Sequence, residues 1–363
     1  MDSCKFHSSE RIAVLPFRSN LLAWYDTNAR DLPWRKDRDP YRVWVSEIML
    51  QQTRVAAVLE HYRKFLRRFP TVQKLAAARE SSVLAVWSGL GYYRRARMLH
   101  AAAKVIANKR GGAFPKNAAE LRDLPGVGRY TAAAIASIAF GEPVAVVDGN
   151  VARVLERLCG TSVSSEKAWL AAGALLDRER PGDFNQAMME LGATVCTPRV
   201  PACLTCPVVD LCATRGERPF SAKPMRQKKR EIHYALHCRN GSVFLVQRAH
   251  DLRLMPGMWE LPEIDADLQI QKEQISPRAR TDNPADHRND KNNRDLAGSG
   301  LFLTLRHSIT LTDYTVRVWQ VPKPSALAGS WVPLQKAASL PLTGLARKIL
   351  QRASNIRQTP AII

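Results

Sequence analysis

Cys196, Cys203, Cys206 and Cys212 follow one another with the spacing C-x6-C-x2-C-x5-C. Four thiols in one short loop are a local constraint of a kind that a disulfide framework does not need, and in a reducing compartment they read as metal ligands. The loop has to bend until four sulfurs converge, and Pro198, Pro201 and Pro207 break helix along it. Four thiolates enclose either a four-iron cluster or a zinc ion. Zinc ribbons usually pair two C-x2-C knuckles, whereas here there is one, at Cys203 and Cys206. An iron–sulfur cluster therefore ranks ahead of zinc. Cys4, Cys159 and Cys238 are scattered.

Ahead of this loop, from Ser19 to about Leu191, the chain is a succession of helical patterns with starts and stops. Asp39 and Pro40 read as an N-cap and first helical residue before YRVWVSEIML, Thr71 caps VQKLAAARE, and Gly111 and Gly112 end the run from Tyr93 to Arg110. The pattern predicts an all-α domain over 19–214, after an N-terminal extension over 1–18. Residues 215–230 carry Lys223, Arg226, Lys228, Lys229 and Arg230, together with Pro219 and Pro224, and read as an exposed basic linker. The periodicity then changes. EIHYALHC and GSVFLVQR alternate as strands do, and LFLTLRHSITLTDYTVRVWQV has β-branched residues enough for two more. The chain is thus expected to be multidomain, with a smaller α+β domain over 231–355 and a tail over 356–363. Within it no aromatic residue lies between Trp259 and Phe302, and 282–294 is a run of Asp, Asn, Arg and Lys, which predicts a mobile insertion over 265–300.

The partner is constrained by charge. With 54 Lys and Arg against 33 Asp and Glu, the formal charge is +21, and clustered cations gain affinity by displacing counterions from phosphates. A 45% hydrophobic content excludes wholesale disorder. No stretch reaches the roughly 18 apolar residues of a membrane span, and MDSCKFHSSER lacks the apolar core of a signal peptide. A soluble, intracellular protein with a polyanionic partner is expected.

Residues 124–140, LPGVGRYTAAAIASIAF, offer a phosphate site. Gly126 and Gly128 allow a tight turn that exposes N–H groups just before a helix N-terminus, and Ala132, Ala133, Ala134 and Ala136 let that helix pack closely on its predecessor. The unit reads as a helix-hairpin-helix. Two carboxylates have unusual company. Glu47 lies in VWVSEIML, where apolar neighbours raise a carboxyl pKa and suit it to act as an acid; Asp148 lies in VVDGNV, where the N–H groups of a helix starting near Asn150 keep it ionised. The alternative for Asp148 is a helix cap alone.

LPWR (32–35), SEIMLQQTRV (46–55), GLGYYRRAR (89–97), LPGVGRYTA (124–132), VDGNVARVLER (147–157), FNQAMMELGATVCTP (184–198) and WELP (259–262) together resemble the MutY family of adenine DNA glycosylases, in the endonuclease III superfamily of helix-hairpin-helix glycosylases. The resemblance runs continuously over about 19–262. It implies that Glu47 protonates adenine N7 and later helps activate water, that Asp148 stabilises an oxocarbenium-like sugar, and that Asn150 and Tyr130 hold the pocket. It further implies that Gln52 and Tyr92 probe and wedge the duplex, with Thr53 beside Gln52, and that Trp34, Arg35, Leu50 and Gln186 form the adenine pocket and its surroundings. Without it, Trp34 and Tyr92 read as core aromatics, Leu50 as core and Gln186 as a surface residue.

Lyase relatives carry a Lys after LPGVGR, where this chain has Tyr130, and a phenol forms no imine. The resemblance therefore implies a mainly monofunctional glycosylase with a [4Fe-4S] cluster on the loop at 196–212. It implies a monomer without membrane attachment, acting in the cytoplasm, with the nucleoid if the host is bacterial. The substrate would be double-stranded DNA carrying adenine opposite 8-oxoguanine or guanine. The C-terminal domain resembles a Nudix-like fold that reads 8-oxoguanine and, with only scattered Glu263 and Glu273 after Pro262, binds without hydrolysing. Relatives show Phe-Ser-His after an Arg-His pair; here Arg306-His307-Ser308 is followed by Ile309-Thr310-Leu311, so Thr310 keeps a hydroxyl while the aromatic ring and the imidazole are lost.

Overall fold

The computed structural model describes residues 13–216, 228–252, 254–264, 300–309, 312–321, 328–337 and 339–358. Thr310, Leu311, most of the expected linker, the expected insertion up to residue 299, and both chain ends lie outside the described residues. The chain divides into two compact units, Met1–Val83 with Arg94–Lys223, and Leu84–Tyr93 with Pro224–Ile363.

The first unit is helical. Its elements are α1 (Val14–Asn28), α2 (Pro40–Leu50), α3 (Val55–Arg68), α4 (Val72–Ala76), α5 (Glu80–Trp87, whose end belongs to the second unit), α6 (Arg94–Lys109), α7 (Ala118–Leu121), α8 (Arg129–Phe140), α9 (Gly149–Cys159), α10 (Ser165–Leu175) and α11 (Pro181–Thr194). The expected caps are present: the Asp39 carboxylate accepts from Arg42 N at 2.9 Å, and Thr71 Oγ1 accepts from Lys74 N at 3.3 Å. Each removes one of the unpaired N–H groups that open a helix.

The expected boundary at residue 18 is corrected. Helix α1 begins at Val14, with Phe17 fully buried and its ring 6.2 Å from that of Phe184. Pro16 sits in the first turn of this helix, where its missing N–H costs no bond. Burying Phe17 contributes about 2 kcal/mol, and the Arg18 guanidinium donates to Leu175 O at 2.9 Å. Helices α1, α9, α10 and α11 enclose a core that includes Leu21, Leu155, Leu175 and Leu191. Helix α8 is buried continuously from Thr131 to Ile138, because its small side chains let α2, α7 and α11 pack around it. Gly192 of α11 allows the approach to α9: a Cβ there would lie 2.7 Å from Asn150 Cβ.

In the second unit the strands are β1 (Lys228–Leu236), β2 (Cys238–Arg239), β3 (Ser242–Gln247), β4 (Trp259–Glu260), β5 (Glu263–Ile264), β6 (Gly300–Ile309), β7 (Thr312–Gln320) and β8 (Ser330–Pro333), followed by α12 (Leu334–Ala337) and α13 (Gly344–Gln358). One sheet has the order β5-β1-β7-β6; β1 and β7 are parallel, from Lys228 opposite Thr312 to Leu236 opposite Gln320, and the other pairs are antiparallel. The second has the order β2-β3-β4, with β8 also on β3. Their inward residues, among them Leu236, Leu245, Val316 and Val318, pack with Ala346 and Ile349 of α13. The α+β expectation agrees with this unit.

Three boundaries shift. Lys228, Lys229 and Arg230, expected in the linker, open β1: their backbones pair with β7 while their side chains stay exposed. Helix α13 runs to Gln358, past the expected end at 355. Residues 84–93, expected in the helical domain, group with the second unit, where Ser88 Oγ and Tyr93 Oη both donate to Leu342 O, at 2.8 and 3.2 Å. Among the described residues no helix is long and apolar enough to cross a membrane.

Candidate active site

Helix α2 carries Glu47 in a buried stretch from Val43 to Met49, and Glu47 itself is only 6% exposed. Burial pushes its carboxyl up to about 7; the hydrogen bond from Tyr130 and the charge of Arg35 oppose the shift, and the nearby Asp148 carboxylate adds to it. Tyr130, one residue into α8, donates from its phenol to Glu47 Oε2 at 2.8 Å. Gln51 Nε2, donating to Thr131 Oγ1 at 3.2 Å, holds the end of α2 against the same helix.

Asp148 is the N-cap of α9. One carboxylate oxygen accepts from Val151 N at 2.7 Å and the other from Asn150 Nδ2 at 2.9 Å. Capping and a place beside Glu47 are therefore not alternatives here. The extended approach to Asp148 is held by buried Asn185, which accepts from Val146 N at 3.0 Å and donates to Val144 O at 2.8 Å. Arg153 donates to Asn150 Oδ1 and to Cys196 O, both at 2.9 Å, tying the head of α9 to the cysteine loop.

Arg35, whose charge acts on Glu47, ends a 3-10 turn, Pro33–Arg35, that also buries Trp34 against Tyr62 with ring centroids 5.3 Å apart. Arg35 Nη2 donates to Glu190 Oε2 at 2.8 Å, and Arg30 donates to both oxygens of Glu190 at 2.6 and 2.7 Å. Burial opposes ionisation of Glu190, but these hydrogen bonds win and hold its carboxyl down at about 2.

Beyond the carboxylates, Gln52 is exposed and left-handed, with φ 56°, which is uncommon for a residue with a Cβ. Arg95 of α6 braces the turn by donating to Ile48 O at 2.8 Å, Met49 O at 2.9 Å and Thr53 Oγ1 at 3.1 Å. Gly126 has φ 75°, and a Cβ on it would lie 2.4 Å from Met98 Cβ; Gly128 is the N-cap of α8. Leu50 and Gln186 are half-buried on α2 and α11. Tyr92, 45% exposed with φ 48°, lies in the second unit.

All four cysteines of the loop line one cavity together with Arg157. Buried Arg157 donates to Cys196 Sγ at 3.2 Å and to Thr197 O at 2.8 Å, so a cation already faces a sulfur of the set. Burial pushes the Cys206 thiol up to about 11 and raises Cys203. Among the described residues no group of three or more His, Cys, Asp or Glu side chains is placed to hold a metal ion. The donor set fits a group that touches four sulfurs around a cavity and supplies positive charge to them.

Residues 45–172 match the HhH-GPD superfamily of base excision DNA repair proteins. The chain is 52% identical over 217 residues to the adenine DNA glycosylase of Homo sapiens, covering 56% of this chain and 40% of that protein. It is 32% identical over 268 residues to that of Buchnera aphidicola subsp. Schizaphis graminum, covering 71% of this chain and 77% of that protein. The chain belongs to the adenine DNA glycosylase family. It spans 40 to 61% of the lengths of the human, rat and mouse members that it matches. A solved structure of a thermostable thymine-DNA glycosylase is also similar, at 34% identity and a TM-score of 0.53, covering 56% of this chain and 96% of that one.

In this member of the adenine DNA glycosylase family the structure brings Glu47, Tyr130, Asp148, Asn150 and Arg35 to one locus, with Gln52 and Thr53 at the end of the helix that carries Glu47. Thr310 lies outside the described residues. Sequence reasoning missed Arg95, Arg153 and Glu190. Glu190 carried a usable signal, a carboxylate four residues after Gln186 among the apolar residues of α11.

Proposed function

We propose that this protein excises adenine from duplex DNA by hydrolysing its N-glycosidic bond, and so opens base excision repair. The observation that carries the reading is the buried Glu47 carboxyl, bonded to Tyr130 and close to ionising near neutrality, with Asp148 nearby at the head of α9. Adenine leaves poorly as an anion. Glu47 protonates N7, the C–N bond breaks, and the Asp148 carboxylate, oriented by Asn150 and Val151, stabilises the sugar cation. Glu47, now ionised, takes a proton from the attacking water. The base must first leave the stack; Trp34, Arg35, Leu50 and Gln186 receive it, while Gln52, Thr53 and Tyr92 act on the duplex and the 126–128 turn binds a phosphate.

Cys196, Cys203, Cys206 and Cys212 would hold a [4Fe-4S] cluster, which supplies a structural cross-link for the loop that Arg153 and Arg157 join to α9. The second unit, whose sheets begin at Lys228, forms a Nudix-like domain that reads 8-oxoguanine opposite the adenine, with Thr310 offering a hydroxyl. The protein acts as a monomer, mainly without strand cleavage, on DNA in the cytoplasm.

The test is base release from duplexes bearing adenine opposite 8-oxoguanine, guanine or cytosine, with alkali to cut the abasic sites. Release from the first two is expected; an enzyme that spares adenine and removes thymine would overturn the reading. Metal analysis of anaerobically purified protein should give iron and sulfide with broad visible absorbance, and one zinc without iron would remove the cluster.

A further inference from the structure

The Tyr130 hydroxyl has one hydrogen and two acceptors in reach, Glu47 Oε2 at 2.8 Å and Met189 Sδ at 3.2 Å. It can serve only one at a time. When Glu47 is ionised, the carboxylate is the stronger acceptor. When Glu47 carries a proton, its own O–H is able to donate to the phenol oxygen, and the phenol hydrogen then needs somewhere else to go. Glu47 is 6% exposed and Tyr130 is half-buried beside it, and a phenol donor left unmet in such surroundings is costly. Met189, an unbranched side chain on α11, brings a polarisable sulfur to that place, and the neighbouring Glu190, clamped by Arg30 and Arg35, fixes this turn of the helix.

We propose that Met189 is a positioning residue for base release: its sulfur takes the Tyr130 hydrogen while Glu47 is protonated, and the hydrogen turns back to Glu47 once the proton has passed to the base. The inference rests on the reading of Glu47 as the acid. Only the hydroxyl rotates; the one proton transferred goes from Glu47 to the leaving base, and no bond to Tyr130 or Met189 is made or broken. The charged and titratable groups acting on Glu47 are Tyr130 from α8, Asp148 from the head of α9 and Arg35 from the turn before α2, with Glu190 of α11 paired to Arg35. Arg95 of α6 is taken up by the carbonyls at the end of α2.

The experiment is single-turnover base release against pH, using the full chain and a duplex with adenine opposite guanine. Met189→Leu is expected to move the alkaline limb about half a pH unit lower, since the protonated state loses a weak hydrogen bond. Met189→Gln, whose amide oxygen accepts, should restore the limb, and in a Tyr130→Phe background Met189→Leu should add no shift. Replacement by norleucine, which keeps the length and removes the sulfur, carries the same expectation if Met189→Leu does not fold. An unmoved limb in the variant lacking sulfur, or an equal shift without the Tyr130 hydroxyl, overturns the proposal. Full base release by Glu47→Gln would instead overturn the acid role of Glu47 and this inference with it; an inactive Glu47→Gln beside an unmoved limb overturns this inference alone.

Discussion

Tyr130 Oη stands 2.8 Å from Glu47 Oε2, so a phenol donates to a carboxyl that burial has already pushed up to about 7. An acid catalyst must hold its proton before the bond breaks, and this one holds it below about pH 7. Single-turnover base release is accordingly expected to fall as pH rises through about 7. A rate that stays level well beyond that point would take the proton donor away from Glu47.

Glu47→Gln keeps shape and removes the proton, and Asp148→Asn keeps the cap while removing the charge near the developing sugar cation. Each should lower single-turnover base release by about a hundredfold or more, with duplex affinity largely retained because neither change alters a cationic contact. Gel-shift and rapid-quench measurements on the same preparations separate the two effects.

Glu190 has no exposed side-chain surface and serves two guanidiniums. Glu190→Gln leaves Arg30 and Arg35 without their counter-charge; Arg30, 39% exposed, is screened by solvent, and the more buried Arg35 carries a cost of about 3 kcal/mol, which urea melts followed by circular dichroism read. The sign with pH follows from linkage. The folded carboxyl is held below its unfolded value, so its stabilisation is present above the unfolded pKa and disappears as pH falls through about 2.

Gly126 combines φ 75° with a space in which a Cβ would strike Met98 at 2.4 Å. Gly126→Ala is therefore expected to cost about 1 to 2 kcal/mol of stability. Under the phosphate reading it also weakens duplex binding in a salt-dependent way, measurable by fluorescence anisotropy over a salt series. Affinity that survives the substitution unchanged would make the hairpin a turn and nothing more.

Tyr130→Lys sets an amine beside Glu47, at a site 2.8 Å from a carboxylate oxygen. Borohydride should trap this variant on abasic DNA and leave the unaltered protein largely untrapped. Strong trapping by the unaltered protein would mean that another amine serves as a lyase nucleophile.

Local rules were sufficient wherever neighbours in sequence decide the outcome. The caps at Asp39 and Thr71, the glycine stop after α6 and the β-branched run of β6 and β7 are all settled within a few residues, because a cap, a turn or a strand is built from groups that the chain already holds close together. The apolar neighbours of Glu47 likewise announced its burial. What needed the fold were the partners that arrive from elsewhere. Glu47 meets Tyr130 across 83 positions, Arg35 meets Glu190 across 155, and Arg153 reaches Cys196 across 43. Those distances close only when α8 packs on α2 and α11 packs on α8 and α9, and no propensity at either end records the meeting. The boundary expected at residue 18 and the run at 228–230 misled for the same reason: Phe17 is helical because Phe184 is there to cover it, and the basic residues form a strand because β7 offers them a ladder.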